Sequence, residues 1–319
     1  MINKPRILIL ESIHECGIRK LENIYDINAA LGIKRDYLLK IVKEYDVIVI
    51  KGSVKVDEEL IDCASRLKLV ARAGTGTDNI NIEKLSERGV DLITVPTGNT
   101  KSAAEFTIMQ MLYCCREMNN VYQQVLKRDY RRQILEGREL SQLNVGIIGV
   151  GNVGQEVAKR LKPFECRVMG WDPGDVNKAL FSELGGVIVD ELKVLLNKSD
   201  IVTLHARLNP NNIKMIDSDA IDAMKENVII INSARAELVD DNAILEGISN
   251  GKISTYCTDV VNPEPDFECI ENNSDYNHPF FANENIIYTP HIGASTKDAQ
   301  KAISLSIADE IISRFKNLV

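Results

Sequence analysis

The chain has 319 residues, more than one hydrophobic core usually organises, so two domains are expected. With 45% apolar and 26% charged residues it has the make-up of a soluble globular protein, and no stretch approaches the roughly 20 apolar residues of a membrane span. A formal charge of −8 argues against nucleic acid as a partner, while leaving room for a small anion received by a local group of cations.

Met1 leads straight into an apolar run without the pattern of a secretory signal, so a cytoplasmic protein is expected. The seven cysteines have neither the density nor the spacing of a disulfide framework or a zinc site, and no metal is expected. Ile7 to Leu10, Val47 to Ile50, Leu69 to Ala71 and Leu92 to Val95 read as strands; Arg35 to Glu44, Glu58 to Ser65 and Ile82 to Arg88 read as helices. That alternation predicts an α/β domain with a parallel sheet. Polar and glycine residues collect just after two of the strands, as Lys51-Gly52-Ser53 and Arg72-Ala73-Gly74-Thr75-Gly76. Ligands of open α/β sheets bind beyond the carboxyl ends of the strands. Lys51 and Arg72 are therefore candidate anion contacts, and the amides around Gly74 and Gly76 a candidate carboxylate nest.

Pro96-Thr97-Gly98-Asn99 then punctuates the chain. Thr100 to about Lys127 contains neither Pro nor Gly and reads as one long helix. Its apolar residues fall on more than one face, which suits packing between domains or against a second subunit better than a simple surface helix. The basic run Lys127 to Arg132 reads as a solvated loop.

A second α/β unit opens with Asn144-Val145-Gly146-Ile147-Ile148-Gly149-Val150-Gly151-Asn152-Val153-Gly154, an apolar run breaking into G-x-G-x-x-G and a helix. Gly149 permits the tight turn, Gly151 lets backbone approach a pyrophosphate, and Gly154 lets the helix sit close on the sheet. The next strand, Arg167 to Trp171, ends at Asp172, near the offset expected of a carboxylate that accepts ribose hydroxyls. A bound dinucleotide is expected, and Asp172 favours NAD over NADP by charge repulsion.

The later strand-like runs end in residues with chemistry to offer: His205 after Ile201 to Leu204, Asn232-Ser233-Ala234-Arg235 after Val228 to Ile231, Asp259 after Thr255 to Thr258, and His291 after Ile286 to Tyr288. Oxidising an alcohol removes a hydride from carbon and a proton from oxygen, so a base that titrates near neutrality is needed, and histidine is the usual choice. A carboxylate on the other ring nitrogen fixes the tautomer, and an arginine can hold a substrate carboxylate bidentately. His291, Glu264 and Arg235 fill these roles. Nothing demands a second base, so His205 reads as a structural histidine beside the cofactor.

These residues carry a resemblance. Arg72-Ala73-Gly74-Thr75-Gly76-Thr77-Asp78-Asn79-Ile80, the glycine turn, Asn232 to Asp240, Asp259-Val260-Val261-Asn262-Pro263-Glu264-Pro265 and Thr289-Pro290-His291-Ile292-Gly293-Ala294-Ser295-Thr296 resemble, in that order, the D-2-hydroxyacid dehydrogenase family. The wording is most similar to the branch that oxidises D-3-phosphoglycerate with NAD at the start of serine synthesis. The resemblance implies two Rossmann-like domains, flavodoxin-like and dinucleotide-binding. The substrate domain would span 1–98 and 292–319, with the NAD domain inserted at 99–291. It implies Arg235, Glu264 and His291 as the catalytic set. Cofactor contacts would come from Gly149, Gly151, Asn152, Val153, Gly154, Asp172, His205, Ser233, Ala234, Asp259 and Gly293, with Ser233 and Asp259 at the nicotinamide end. Lys51, Arg72, Ala73 and Gly74 would meet the substrate. A homodimer through the helix at 100–127 is also implied, with Arg132 reaching the substrate of the partner.

Several residues depart from the family pattern. Lys51 stands where an arginine is usual, which keeps charge but loses a planar fork. Ala236 replaces a glycine, His205-Ala206-Arg207 replaces H-T-P, and Tyr130 replaces a Trp. Residues 267–277 read as an insertion, and with the last residue at Val319 no C-terminal regulatory domain is expected. Two alternatives therefore stand: a reductase of glyoxylate or hydroxypyruvate, and a nucleotide-sensing corepressor of the wider family that binds peptides.

Overall fold

The computed structural model describes residues 4–265 and 275–315, which divide into two compact units: 4–99 with 295–315, and 100–265 with 275–294. The proposed insertion at 267–277 lies largely outside the described residues.

The first unit is built on a five-stranded, wholly parallel sheet: β1 (Arg6–Ile9), β2 (Asp26–Ala29), β3 (Val47–Ile50), β4 (Leu69–Arg72) and β5 (Asp91–Thr94), in the order β2-β1-β3-β4-β5. Val47 to Ile50 are fully buried, as a central strand covered on both faces requires. Helices α1 (Glu15–Glu22), α2 (Arg35–Ile41), α3 (Glu58–Cys63) and α4 (Ile82–Glu87) connect the strands, and α12 (Lys297–Phe315) returns to the same sheet from the end of the chain. Ile303, Ile307 and Ile311 of α12 share a core with Ile7, Ile9, Val47 and Val49. Gly17 of α1 is a contact point: a Cβ there would collide with the backbone of Ser304. The pattern of the sequence conceals β2, because Asp26-Ile27-Asn28-Ala29 has no apolar alternation. It is a largely exposed edge strand recruited by its register with β1.

In the second unit β6 (Asn144–Ile148), β7 (Arg167–Trp171), β8 (Gly186–Ile188), β9 (Ile201–Leu204), β10 (Val228–Asn232), β11 (Ile253–Thr258) and β12 (Ile286–Tyr288) form a parallel sheet in the order β12-β11-β10-β9-β6-β7-β8. The strand order reverses between β6 and β9, the switch point where doubly wound sheets receive nucleotides. One face is covered by α5 (Thr100–Cys115), α7 (Asn152–Leu161) and α8 (Lys178–Glu183), the other by α9 (Leu192–Lys198), α10 (Ser218–Asp222) and α11 (Asp241–Ser249).

One expectation needs correcting. The helix predicted from Thr100 to Lys127 is two helices, α5 and then α6 (Met118–Leu126), because Glu117 between them is left-handed at φ 47°. The cause is tertiary. The backbone N–H of Arg138 donates to the carbonyl of Cys115 at 2.7 Å, so a later segment satisfies the end of α5 where another helical turn would run. Gly137 passes so close that a Cβ there would stand 2.9 Å from Cα of Arg116. Among the described residues, no helix is long and apolar enough to cross a membrane.

Candidate active site

Because both sheets are wholly parallel, the strand ends singled out in the sequence fall on the carboxyl edge of one sheet or the other. On the second sheet that edge carries, in spatial order, His291 after β12, Asp259 and Glu264 after β11, Arg235 after β10, His205 after β9, the glycine turn after β6 and Asp172 after β7. From β7 to β11 is four strand steps, about 19 Å along the edge.

The glycine turn has the shape that a dinucleotide requires. Gly149 lies at φ 91°, and a Cβ there would collide with the backbone of His205 and Ala206. A Cβ on Gly154 would strike the carbonyl oxygen of Gly149, so the start of α7 rests directly on the turn. Gly151, by contrast, has no heavy atom within 4 Å of the place a Cβ would take. It is an open approach to the amides that begin α7, where Asn152 is exposed and Val153 packs back on the core. Asp172 holds this turn to the end of β7: its carboxylate accepts the N–H of Val150 at 2.8 Å and of Gly174 at 2.9 Å. A carboxylate has about four lone-pair positions, so two remain for hydroxyl donors. These residues fit an NAD dinucleotide.

His205 backs the turn from below, its N–H donating to Ile148 at 2.7 Å and its Nε2 lying 2.9 Å from the Thr203 hydroxyl. Burial holds its imidazole down at about 4, so the ring is neutral at neutral pH.

After β10 the chain is organised by Asn232, which is fully buried. Its Oδ1 accepts the N–H of Ala234 at 3.1 Å, and its Nδ2 donates to the carbonyl of Arg235 at 2.9 Å. Ser233 donates its hydroxyl hydrogen to Oε1 of Gln110 on α5 at 2.8 Å. Arg235 is half-buried, and its Nη1 donates to the carbonyl of Ala234 at 2.7 Å.

His291 and Glu264 are in contact, Nδ1 to Oε1 at 2.7 Å, with both side chains part-exposed. The carboxylate makes Nδ1 the donor, so in the neutral ring Nε2 carries the lone pair that a base needs. His291 has φ 54°, a conformation uncommon outside glycine that the surroundings must enforce. Asp259 enforces it. Only 2% exposed, it takes the Thr289 hydroxyl at 2.6 Å and the N–H of Ile292 at 3.0 Å on one oxygen, and the N–H of Gly293 at 2.7 Å on the other. Its own carbonyl accepts the N–H of His291 at 2.9 Å. Burial pushes the Asp259 carboxyl up from its ordinary value, against these donors.

Of the candidate substrate cations, Lys51 and Arg72 belong to the first unit. Arg72 ends β4 and folds back over Gly74, its Cζ 3.0 Å from where a Cβ of Gly74 would stand. Its Nη2 lies 4.0 Å from the corresponding point on Gly52, beside Lys51. Ala73 is buried and donates its N–H to Ile50 at 2.8 Å. Arg132 is exposed on a 3₁₀ turn of the second unit, Arg132–Ile134. Two residues that organise these sheet edges, one in each unit, were not singled out in the sequence: Gln110, hidden in the apolar stretch of α5, and Glu11, which follows the first apolar run.

The fold and this edge define a class of protein. The family model described as D-isomer specific 2-hydroxyacid dehydrogenase, NAD binding domain, matches residues 108–293. The chain belongs to that family, and its cofactor is NAD. It is 34% identical over 306 residues to a D-3-phosphoglycerate dehydrogenase of Methanocaldococcus jannaschii, covering 96% of this chain and 56% of that relative. It is also 34% identical over 286 residues to a hydroxypyruvate reductase of Thermotoga maritima, covering 90% and 89%. The chain thus spans a little over half the length of the first relative and most of the second. In fold it is similar to a D-lactate dehydrogenase of Aquifex aeolicus, with a TM-score of 0.86, 24% identity, and 98% and 96% of the two chains covered.

Proposed function

We propose that the protein oxidises D-3-phosphoglycerate to 3-phosphohydroxypyruvate with NAD, the step that feeds serine synthesis. The observation that carries a dehydrogenase reading is the His291–Glu264 pair, on the same sheet edge as the glycine turn and Asp172. NAD, when bound, accepts the hydride. His291 takes the hydroxyl proton at Nε2, and Glu264 stabilises the imidazolium that results. Arg235 holds the substrate carboxylate and polarises the oxygen at C2. Ser233, Ala234, Asp259 and Gly293 line the nicotinamide end, while the side chains of Lys51 and Arg72, beside Ala73 and Gly74, take the phosphate. Two cations beside a glycine turn suit a dianion better than glyoxylate.

A second reading, hydroxypyruvate reduction, is favoured by the Thermotoga relative, which matches over nearly its whole length. The leading reading includes a cytoplasmic setting, supported by cysteines without disulfide spacing. It also includes a homodimer, supported by apolar side chains on α6 and beyond that face solvent in one chain, with Arg132 reaching the substrate of the partner.

The test follows NADH formation with D-3-phosphoglycerate, and NADH consumption with phosphohydroxypyruvate, hydroxypyruvate and glyoxylate. Wild type should act best on the phosphorylated pair. His291→Ala should lose on the order of 10³-fold in kcat while keeping its affinity for NADH, as expected for a general acid–base group. Turnover of unphosphorylated acids alone selects the second reading, and tight NADH binding with no turnover of any acid selects a sensor.

A further inference from the structure

Glu11 follows β1 directly, at the carboxyl edge of the first sheet, and is 3% exposed. A buried carboxylate is expected to be paired or fully hydrogen-bonded, because desolvation of the charge is otherwise costly. Here its two oxygens accept four backbone N–H groups from one turn: Lys51 at 2.7 Å and Val54 at 3.2 Å on Oε2, and Gly52 at 3.1 Å and Ser53 at 3.0 Å on Oε1. From the other side Nδ2 of Asn79 donates to the carbonyls of Val54 at 2.7 Å and Lys51 at 3.3 Å. Four converging amides of this kind make a concavity suited to an anion. In this protein a carboxylate of its own chain fills it.

We propose that Glu11 is a positioning residue for substrate recognition, which fixes the backbone from which Lys51 extends beside Arg72. This rests on the assignment of Lys51 as a substrate contact. Two consequences follow from the hydrogen bonds. The substrate anion is received by the side chains of Lys51 and Arg72, since the amides of residues 51 to 54 are committed to Glu11 and those of Ala73 and Gly74 to the carbonyls of Ile50 and Arg72. The lysine, whose four-carbon stem is flexible, has an anchored base in place of a planar fork, which bears on how a lysine serves where relatives use arginine.

The test is a double-mutant cycle in the full-length chain. Glu11→Gln keeps shape but turns one acceptor oxygen into an NH₂ that faces N–H donors. It should raise KM for D-3-phosphoglycerate about tenfold, the size of one charge-assisted hydrogen bond, with NADH affinity unchanged. In a Lys51→Ala background the same change should add little, and Glu11→Asp should recover part of the loss. Amide hydrogen exchange should rise in the segment 51–54 of Glu11→Gln and stay unchanged throughout the second unit. Additive effects of Glu11→Gln and Lys51→Ala on KM, or unchanged exchange at 51–54, overturn the proposal. If wild type acts only on unphosphorylated acids, the phosphate assignment fails by itself. The cycle then runs on the KM of the acid that is used, and an inactive chain is judged by exchange alone.

Discussion

At the scale of single residues, several groups on the sheet edges act by holding backbone in place. Asp259 holds His291 at a left-handed φ through three donors to its carboxylate, Asn232 closes the Ala234–Arg235 turn with both ends of its amide, and Glu11 does the same for Lys51. His205 belongs with them. With its imidazole held down at about 4 in the folded chain, against about 6.5 when unfolded, the unfolded state binds the extra proton between those values. Stability should therefore be fully present above pH 6.5 and fall as the pH drops toward 4, by roughly 3 kcal/mol from this group. In His205→Gln that part of the acid sensitivity should vanish. Thermal melts of both proteins at pH 7.0 and pH 4.5 check it; an equal fall in Tm for the two would show that the ring is not a buried neutral group.

At the scale of elements, the break between α5 and α6 changes which surface is available for a partner. Helix α5 turns its apolar residues into the core of the second unit, with Ala104, Ile108, Met111 and Cys115 buried there. Helix α6 buries none of its residues. Tyr122, Val125 and Leu126 share one of its faces at helical spacing, Leu126 being 77% exposed, and Tyr130 and Ile134 extend the apolar surface beyond it. A second copy of the chain is the covering partner in our reading, and α6 with the turn after it, rather than a continuous helix, is the part it should cover. Leu126→Glu combined with Tyr122→Glu should convert a dimer into a monomer of 35.6 kDa in sedimentation velocity. The monomer should unfold with a free energy within about 0.5 kcal/mol of wild type under dilute conditions, since Tyr122 and Leu126 are 57% and 77% exposed in their own chain. A dimer that survives both charges would move the interface elsewhere.

At the scale of the whole molecule, the chain enters the first unit, leaves it after Asn99, completes the second, and returns at Ser295 to supply α12. Among the described residues, the seven-stranded sheet and both of its cores draw only on those after 99 and before 295. Residues 100–294 expressed alone should therefore fold and bind NADH, with a rise in Tm that grows with ligand concentration as linkage requires. An insoluble product, or a soluble one whose Tm ignores NADH, would contradict that independence. The first unit has no such freedom, because Ile303, Ile307 and Ile311 must return to close its core.

Much of this architecture was legible in the residues themselves. Fully buried parallel strands must be continuous apolar runs, so Val47 to Ile50 and Val228 to Ile231 declared themselves, and Gly149 and Gly154 after β6 each answer to a steric need that no other residue meets. With all strands parallel, the residues after them had to share an edge, which brought out Arg235, Glu264 and His291 before any contact was known. Only tertiary structure decided the rest. Strand β2 exists because β1 offers it an edge, the helix at Glu117 ends because Arg138 arrives from twenty-one residues away, and Glu11 acquires its role by meeting a turn forty residues on. The physical reason is common to these cases. Periodicity and steric rules act over a few neighbouring residues and leave a local trace, whereas a hydrogen bond between distant segments is specified by where the whole chain has already been folded.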